Sequence, residues 1–116
     1  MNGLNVLWLT GRSMNDLCST TQRALIRGLL ERSMTVTFVN ADRTIDLDGD
    51  GFTHVSLPNQ ARRGLQARTL GNAMRAWLIS NPLGEAVAVV EWRVARWVVP
   101  ELERQGISWT LMDRSP

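Results

Sequence analysis

Short apolar runs alternate with helical patterns along this chain, and that alternation constrains its fold more than any other feature. Leu4–Leu9 is a near-continuous apolar run, typical of a parallel strand covered on both faces. A helix is predicted to begin around Ser19 or Thr20, and the β-branched run Thr35–Val39 predicts the next strand. A strand, a helix and a strand within about forty residues predict a βαβ unit with a right-handed crossover.

The first helix is expected to bury one apolar face and to turn charged residues toward water. Four apolar residues define the expected buried face at helical spacing. They are Ala24, Leu25, Leu29 and Leu30.

The remaining elements repeat the same alternation. Strands are predicted at Thr53–Leu57, Ala86–Val90 and Ile107–Met112, and a helix from Asn59 to about Ser80. A further helix follows the fourth strand, and Pro100 within it is expected to kink or split it. The order predicts an α/β, Rossmann-like domain: a three-layer, doubly wound parallel sheet of five strands in the order 3-2-1-4-5.

The length of 116 residues is that of a single domain, and we expect residues 1–116 to be the N-terminal part of a longer two-domain protein. No apolar run approaches the roughly 20 residues that span a bilayer. The N-terminus lacks the features of a signal peptide, and Cys18 is the only cysteine. A cytoplasmic location is therefore expected.

The charge of the chain excludes some partners. All 13 basic residues are arginines, spread along the chain, and the net charge is only +2. Because nucleic-acid binding usually needs a basic stripe, no nucleic-acid partner is expected. Arg62, Arg63 and Arg68 form the one cluster. It could contact a membrane surface peripherally, although a solvated helix face is an alternative.

The chemistry is expected in the loops that follow the strands. In an open parallel sheet, ligands bind beyond the carboxyl ends of the strands where the strand order reverses, here between the first and fourth strands. The loop after the first strand opens a helix, whose amide dipoles favour an anion. The predicted acceptor- or phosphate-binding residues follow these strands or the fifth: Gly11, Arg12, Ser13, Glu91, Arg93 and Asp113.

Structural alternatives remain open for these residues. The first loop could be a plain connection with a Ser/Thr cap, and Glu91-Trp92-Arg93 could be a local ion pair beside a core tryptophan. No catalytic residue is identified among them.

Several ligand classes are disfavoured. The chain lacks both the Gly-x-Gly-x-x-Gly and the Gly-Lys-Ser/Thr patterns, so a dinucleotide enzyme and a P-loop NTPase are not expected. The Asp46-x-Asp48-x-Asp50-Gly run starts like a calcium loop, but Leu57 stands where the bidentate Glu belongs. His54 is the only histidine, so a zinc site is not expected either. Neither a metal nor a cofactor is predicted.

The first forty residues resemble a known family. The strand Val6-Leu7-Trp8-Leu9-Thr10, its loop, the helix end Leu29-Leu30-Glu31-Arg32 and the strand Val36-Thr37-Phe38-Val39 resemble the opening of GT-B-type glycosyltransferases, which include sucrose and glycogen synthases. In that family the helix commonly ends in Leu-x-x-Arg-Gly-His. Ser33-Met34 stands here in place of Gly-His.

The resemblance implies an activity and a domain role. Such enzymes have an N-terminal Rossmann-like domain for the acceptor and a C-terminal one that makes most contacts to the nucleotide-sugar donor. By this resemblance the chain is the acceptor-side domain of a glycosyltransferase whose acceptor is a glycan or a lipid. The nucleotide-sugar serves as co-substrate, and the chain alone is inactive or binds acceptor weakly.

Two alternatives belong to other functional classes. The fold would also suit a receiver-like signalling module, although such a module needs acidic residues after the first strand, where Thr10-Gly11-Arg12 stands, and a lysine, which this chain lacks. The five tryptophans would also suit a non-catalytic interaction domain.

Overall fold

The computed structural model describes residues 4–15, 20–47, 49–57 and 65–112. These segments contain five strands and three helices. In chain order they are β1 (Asn5–Leu9), α1 (Thr20–Glu31), β2 (Thr35–Asn40), β3 (Phe52–Ser56), α2 (Gln66–Ser80), β4 (Val87–Glu91), α3 (Trp92–Arg104) and β5 (Ser108–Met112), and within the described residues β2 and β3 follow each other without a helix between them. None of these helices is long and apolar enough to cross a membrane.

The five strands form one parallel sheet in the order β3-β2-β1-β4-β5, which confirms the predicted fold class and strand order. β1 lies at the centre, with Leu9 paired to Val39 of β2 on one side and to Val90 of β4 on the other. The carboxyl ends of β1 and β4 therefore lie side by side, at the point where the strand order reverses.

The side chains of β1 alternate between two cores on opposite faces of the sheet. Val6 and Trp8 pack with Ile26 of α1, whereas Leu7 and Leu9 pack with the side chains of α2 and α3. Because β1 is covered on both faces, its apolar run is uninterrupted. The two cores establish the predicted three layers, with α1 on one face and α2 and α3 on the other.

The buried face of α1 differs from the predicted one. Leu25 is 51% exposed and Ala24 is exposed as well, whereas Gln22 and Ile26 are buried. Leu29 and Leu30 pack against the core as expected. The error arose because apolar residues occupy two overlapping stripes of this helix, and only the contact of Ile26 with β1 and β2 selects between them.

Pro100 does not split α3, contrary to one of the two predicted effects, because the helix continues through it to Arg104. A proline within a helix costs about 3 kcal/mol. On the opposite side of α3, Val94, Val98 and Leu102 are fully buried. Each such side chain contributes about 1.5–3 kcal/mol, so together they outweigh the proline.

Ser33 occupies the position where the resembling family has glycine, and it adopts a left-handed conformation with φ of 64°. The amide of Ser33 donates to Leu30 O at 3.0 Å and that of Met34 to Leu29 O at 3.1 Å. This double hydrogen bond closes the end of α1 in the way that favours glycine.

The substitution Ser33→Gly is therefore expected to stabilise the chain. It removes the Cβ strain of a left-handed residue, and the gain is about 0.5–1 kcal/mol after the greater freedom of glycine in the unfolded chain is included. Urea unfolding followed by circular dichroism measures the change. The matched control is Ser80→Gly, at the exposed last residue of α2, which is expected to give no gain. An unchanged or lower midpoint for Ser33→Gly would contradict the strain argument.

Candidate functional site

The carboxyl end of β4 and the loop after β1 are joined through one carboxylate. Glu91, the last residue of β4, is 3% exposed, and its Oε1 accepts a hydrogen bond of 2.9 Å from the amide of Gly11. Its Oε2 accepts from the amide of Arg93 at 3.2 Å and from Arg93 Nε at 2.9 Å. Gly11, Glu91 and Arg93, three of the predicted binding residues, therefore meet at the switch point of the sheet.

These contacts give Glu91 a structural role. It is the N-cap of α3, and through Gly11 it also fixes the start of the loop after β1. A Cβ added to Gly11 would lie 3.2 Å from Glu91 Oε1, tighter than an ordinary contact, so the absence of a side chain permits this approach. The carboxylate already accepts hydrogen bonds on both oxygens.

Trp92 does not belong to the core, so the core-tryptophan alternative is wrong for this residue. It begins α3 and is 55% exposed. The guanidinium carbon of Arg93 lies 5.9 Å from the centre of its ring, within the range of a cation–π contact. An exposed indole face and a guanidinium therefore adjoin the junction formed by Glu91.

Arg12 and Ser13 lie in the same loop, and both are half-exposed. The amide of Arg12 donates to Thr10 Oγ1 at 3.0 Å, while its guanidinium has no hydrogen-bond or ion-pair partner within the described residues. Ser13 Oγ accepts from the amide of Asn15 at 3.1 Å, which leaves the hydroxyl proton available. The structure thus fixes the backbone of the loop and leaves these side chains available to a ligand.

A second polar cluster, which the sequence analysis missed, holds the other side of this loop. Asn40, the fully buried last residue of β2, donates from Nδ2 to Arg12 O at 3.0 Å and to Asp42 Oδ2 at 2.9 Å. Its Oδ1 accepts from the amide of Asp42 at 3.1 Å and lies 2.8 Å from His54 Nε2. Asp42 Oδ2 also accepts from the amide of Met14 at 2.7 Å.

The tautomer of His54 follows from this cluster. Since Asn40 Nδ2 donates to two oxygens, Oδ1 is its acceptor end, and His54 Nε2 must carry the proton that it receives. Burial lowers the pKa of His54, and this effect exceeds the opposing attraction of the Asp42 carboxylate. His54 is therefore neutral at pH 7, with Nδ1 unprotonated, and completes a hydrogen-bonded support for the loop.

Ser56 of β3 and Arg23 of α1 add hydrogen bonds to the same support of the loop after β1. Ser56 Oγ donates to Asp42 O at 2.6 Å, and Arg23 Nη2 donates to Met14 O at 2.7 Å. Asn40 pairs with Ser56 in the register of β2 and β3, which brings Asn40, Asp42 and Ser56 to one edge of the sheet. The signal in the sequence was the polar pair Asn40 and Asp42, which directly follows the predicted strand Thr35–Val39.

Some predicted features lie outside the described residues or are placed away from the junction. Asp113 and Asp48 are outside them, as are Arg62 and Arg63, whereas Arg68 is exposed on α2. Asp46 forms an ion pair of 2.6 Å with Arg23. Within the described segments, no group of three His, Cys, Asp or Glu side chains could hold a metal ion. Membrane contact and a cytoplasmic location remain predictions.

Comparison with known proteins shows a similarity in fold to a solved structure. No protein-family model and no curated protein matches the sequence. The solved structure of LpCGTa in complex with UDP matches with a TM-score of 0.69 at 12% identity, over 94% of this chain and 30% of that chain. The chain thus spans about a third of the length of this glycosyltransferase, and at this identity the likeness establishes a shared fold.

Proposed function

We propose that this chain is the N-terminal, acceptor-side domain of a GT-B-type glycosyltransferase that transfers a sugar from a nucleotide-sugar to a glycan or lipid. The observation that carries the proposal is the junction at the switch point of the sheet. There, Glu91 joins the loop after β1 to the start of α3 and leaves Arg12, Ser13 and Trp92 accessible. The similarity in fold to a glycosyltransferase with bound UDP supports the same proposal.

The residues of the candidate site fall into two groups, those that support the loop after β1 and those available to bind a ligand. Glu91 and Asn40 hold the loop from its two sides, so that its conformation exists before any ligand arrives. The exposed indole of Trp92 offers an apolar face against which the C–H face of a sugar ring can pack. Arg12 and Arg93 offer guanidinium donors to sugar hydroxyls or to a phosphate. Preorganisation of this kind lowers the entropic cost of binding.

The first test is binding by the chain itself. We expect maltose, used as a simple glycan probe, or UDP-glucose to shift the NMR amide signals of residues 11–13 and 92–93 in a saturable way. Loss of one charge-assisted hydrogen bond, about 1.5 kcal/mol, makes binding roughly tenfold weaker in Arg12→Ala.

The matched control is Arg32→Ala, which removes an exposed arginine between α1 and the start of β2, at the end of the sheet away from the site, and is expected to leave binding unchanged. Equal weakening in both variants, or shifts confined to other residues, would contradict the proposed site. If neither probe binds, the non-catalytic interaction module becomes the better explanation of this fold.

A further inference from the structure

A cavity lies between α2 and α3, on the outer surface of the helical layer. Its volume is about 240 Å³, and six residues line it: Arg75, Arg96, Trp97, Pro100, Glu101 and Arg104. On α3 these residues lie between the second turn and the end of the helix, whereas Glu91 and Arg93 stand at its start. This α2–α3 cavity is therefore separate from the junction at the carboxyl ends of the strands.

The charges around the cavity do not cancel. Arg104 pairs with the buried carboxylate of Glu101, from Nε at 3.0 Å to each oxygen and from Nη2 at 2.5 Å to Oε2. Within the described residues, Arg75 and Arg96 have no ion-pair partner. Three guanidinium groups thus face one carboxylate, and the cavity carries a net charge of +2.

This charge is constant over the physiological range of pH. Hydrogen bonds from Arg104 and Gln105 lower the pKa of Glu101 to about 2, with a further contribution from the positive charge of Arg75. The same carboxylate raises the pKa of Arg104. Glu101 is therefore ionised throughout, and its charge serves to hold Arg104 rather than to bind a cation.

Two of the guanidinium groups are held in place before any ligand binds. Glu101 holds Arg104, and it is itself held by Gln105, whose Nε2 donates to Glu101 Oε2 at 2.8 Å and to Leu78 O at 3.0 Å. The guanidinium carbon of Arg96 lies 5.3 Å from the centre of the Trp97 ring. An arginine placed against an aromatic ring keeps its planar N–H donors available to an oxyanion.

From this arrangement we infer that the α2–α3 cavity binds a phosphate group, with Arg75 and Arg96 as its main ligands. A phosphate monoester carries a charge of about −1.5 to −2 at pH 7, which matches the uncompensated charge of the cavity. Arginine donors suit the tetrahedral array of phosphate oxygens. The volume exceeds that of one oxyanion, so the group attached to the phosphate can lie against Trp97 and Pro100.

The test follows the indole N–H signal of Trp97 by NMR, assigned with Trp97→Phe, during titration with inorganic phosphate at constant ionic strength. We expect a saturable shift. The double variant Arg75→Gln/Arg96→Gln is expected to weaken binding at least tenfold. The matched control is Arg27→Gln, which removes an exposed arginine of α1 and is expected to change nothing. Circular dichroism verifies that each variant is folded.

A second titration identifies the source of the phosphate. It uses phosphatidylcholine vesicles with and without phosphatidic acid, whose headgroup is a phosphate monoester. Inorganic phosphate binding that the double variant loses supports the proposal with a free phosphate as ligand. Binding only to phosphatidic acid vesicles, lost in the same variant, supports it with a lipid headgroup. If neither inorganic phosphate nor phosphatidic acid vesicles bind, or if Arg27→Gln weakens binding as much as the double variant does, the proposal is overturned.

Discussion

The substitution Gly71→Ala is expected to lower the free energy of unfolding by about 2 kcal/mol, although alanine is the better helix former. Gly71 lies in α2 against Trp97 of α3. A Cβ at this position would lie 2.7 Å from Trp97 Cε3 and 2.9 Å from Trp97 Cβ. Since Trp97 Cβ is bonded directly to the backbone of α3, a rotamer change cannot relieve that contact, and the helices must separate.

A matched substitution isolates this effect. Gly28 lies within α1, and a Cβ added there meets no atom within 4 Å. Gly28→Ala should therefore show only the gain in helix propensity, up to about 1 kcal/mol of added stability. Urea unfolding followed by circular dichroism compares the two variants with the unaltered chain. Shifts of the same sign in both would refute the close-packing explanation for Gly71.

Gly71 also shows where sequence analysis of the fold reaches its limit. Judged by propensity alone, this glycine weakens the prediction of a helix, whereas in the folded chain it allows α2 to approach Trp97. The strand order was predictable because apolar runs of strand length alternate with helices, and few topologies accommodate that pattern. Which face of α1 is buried could not be predicted, because it depends on contacts with residues distant in sequence. The continuity of α3 through Pro100 depends on burial, which local rules for proline omit.

For the candidate site, the sequence predicted which residues lie close together better than it predicted what each side chain does. Because β1 and β4 are parallel neighbours, Gly11 and Glu91 had to lie near each other, and the structure places them in contact. Whether the carboxylate of Glu91 faces a ligand or the protein depends on side-chain geometry, which the sequence does not specify. The Asn40 cluster was missed because it requires the pairing of β2 with β3, and the residues involved are short, common polar types.

The contacts of Glu91 lead to the second large effect. Glu91→Ala is expected to lower the free energy of unfolding by about 2–4 kcal/mol. It removes three hydrogen bonds to a carboxylate, one of which is the N-cap bond of α3, and it leaves the amide of Gly11 without its partner. Urea unfolding measures the loss. Glu103→Ala, at an exposed position of the same helix, is the control and is expected to shift stability by less than about 0.5 kcal/mol.

Hydrogen exchange and a conservative variant separate a positioning role of Glu91 from direct contact with a ligand. If Glu91 positions the loop, the amides of Gly11 and Arg93 exchange faster in Glu91→Ala even without ligand, because both donate to its carboxylate. Glu91→Gln keeps one acceptor oxygen and should retain the bond from Gly11, while it loses both bonds from Arg93, because the Arg93 amide and Nε donate to the same Oε2. Glycan binding should then fall in proportion to the loss of protection at Gly11. Loss of binding in Glu91→Gln with unchanged exchange at both Gly11 and Arg93 would instead mean that the carboxylate contacts the ligand itself.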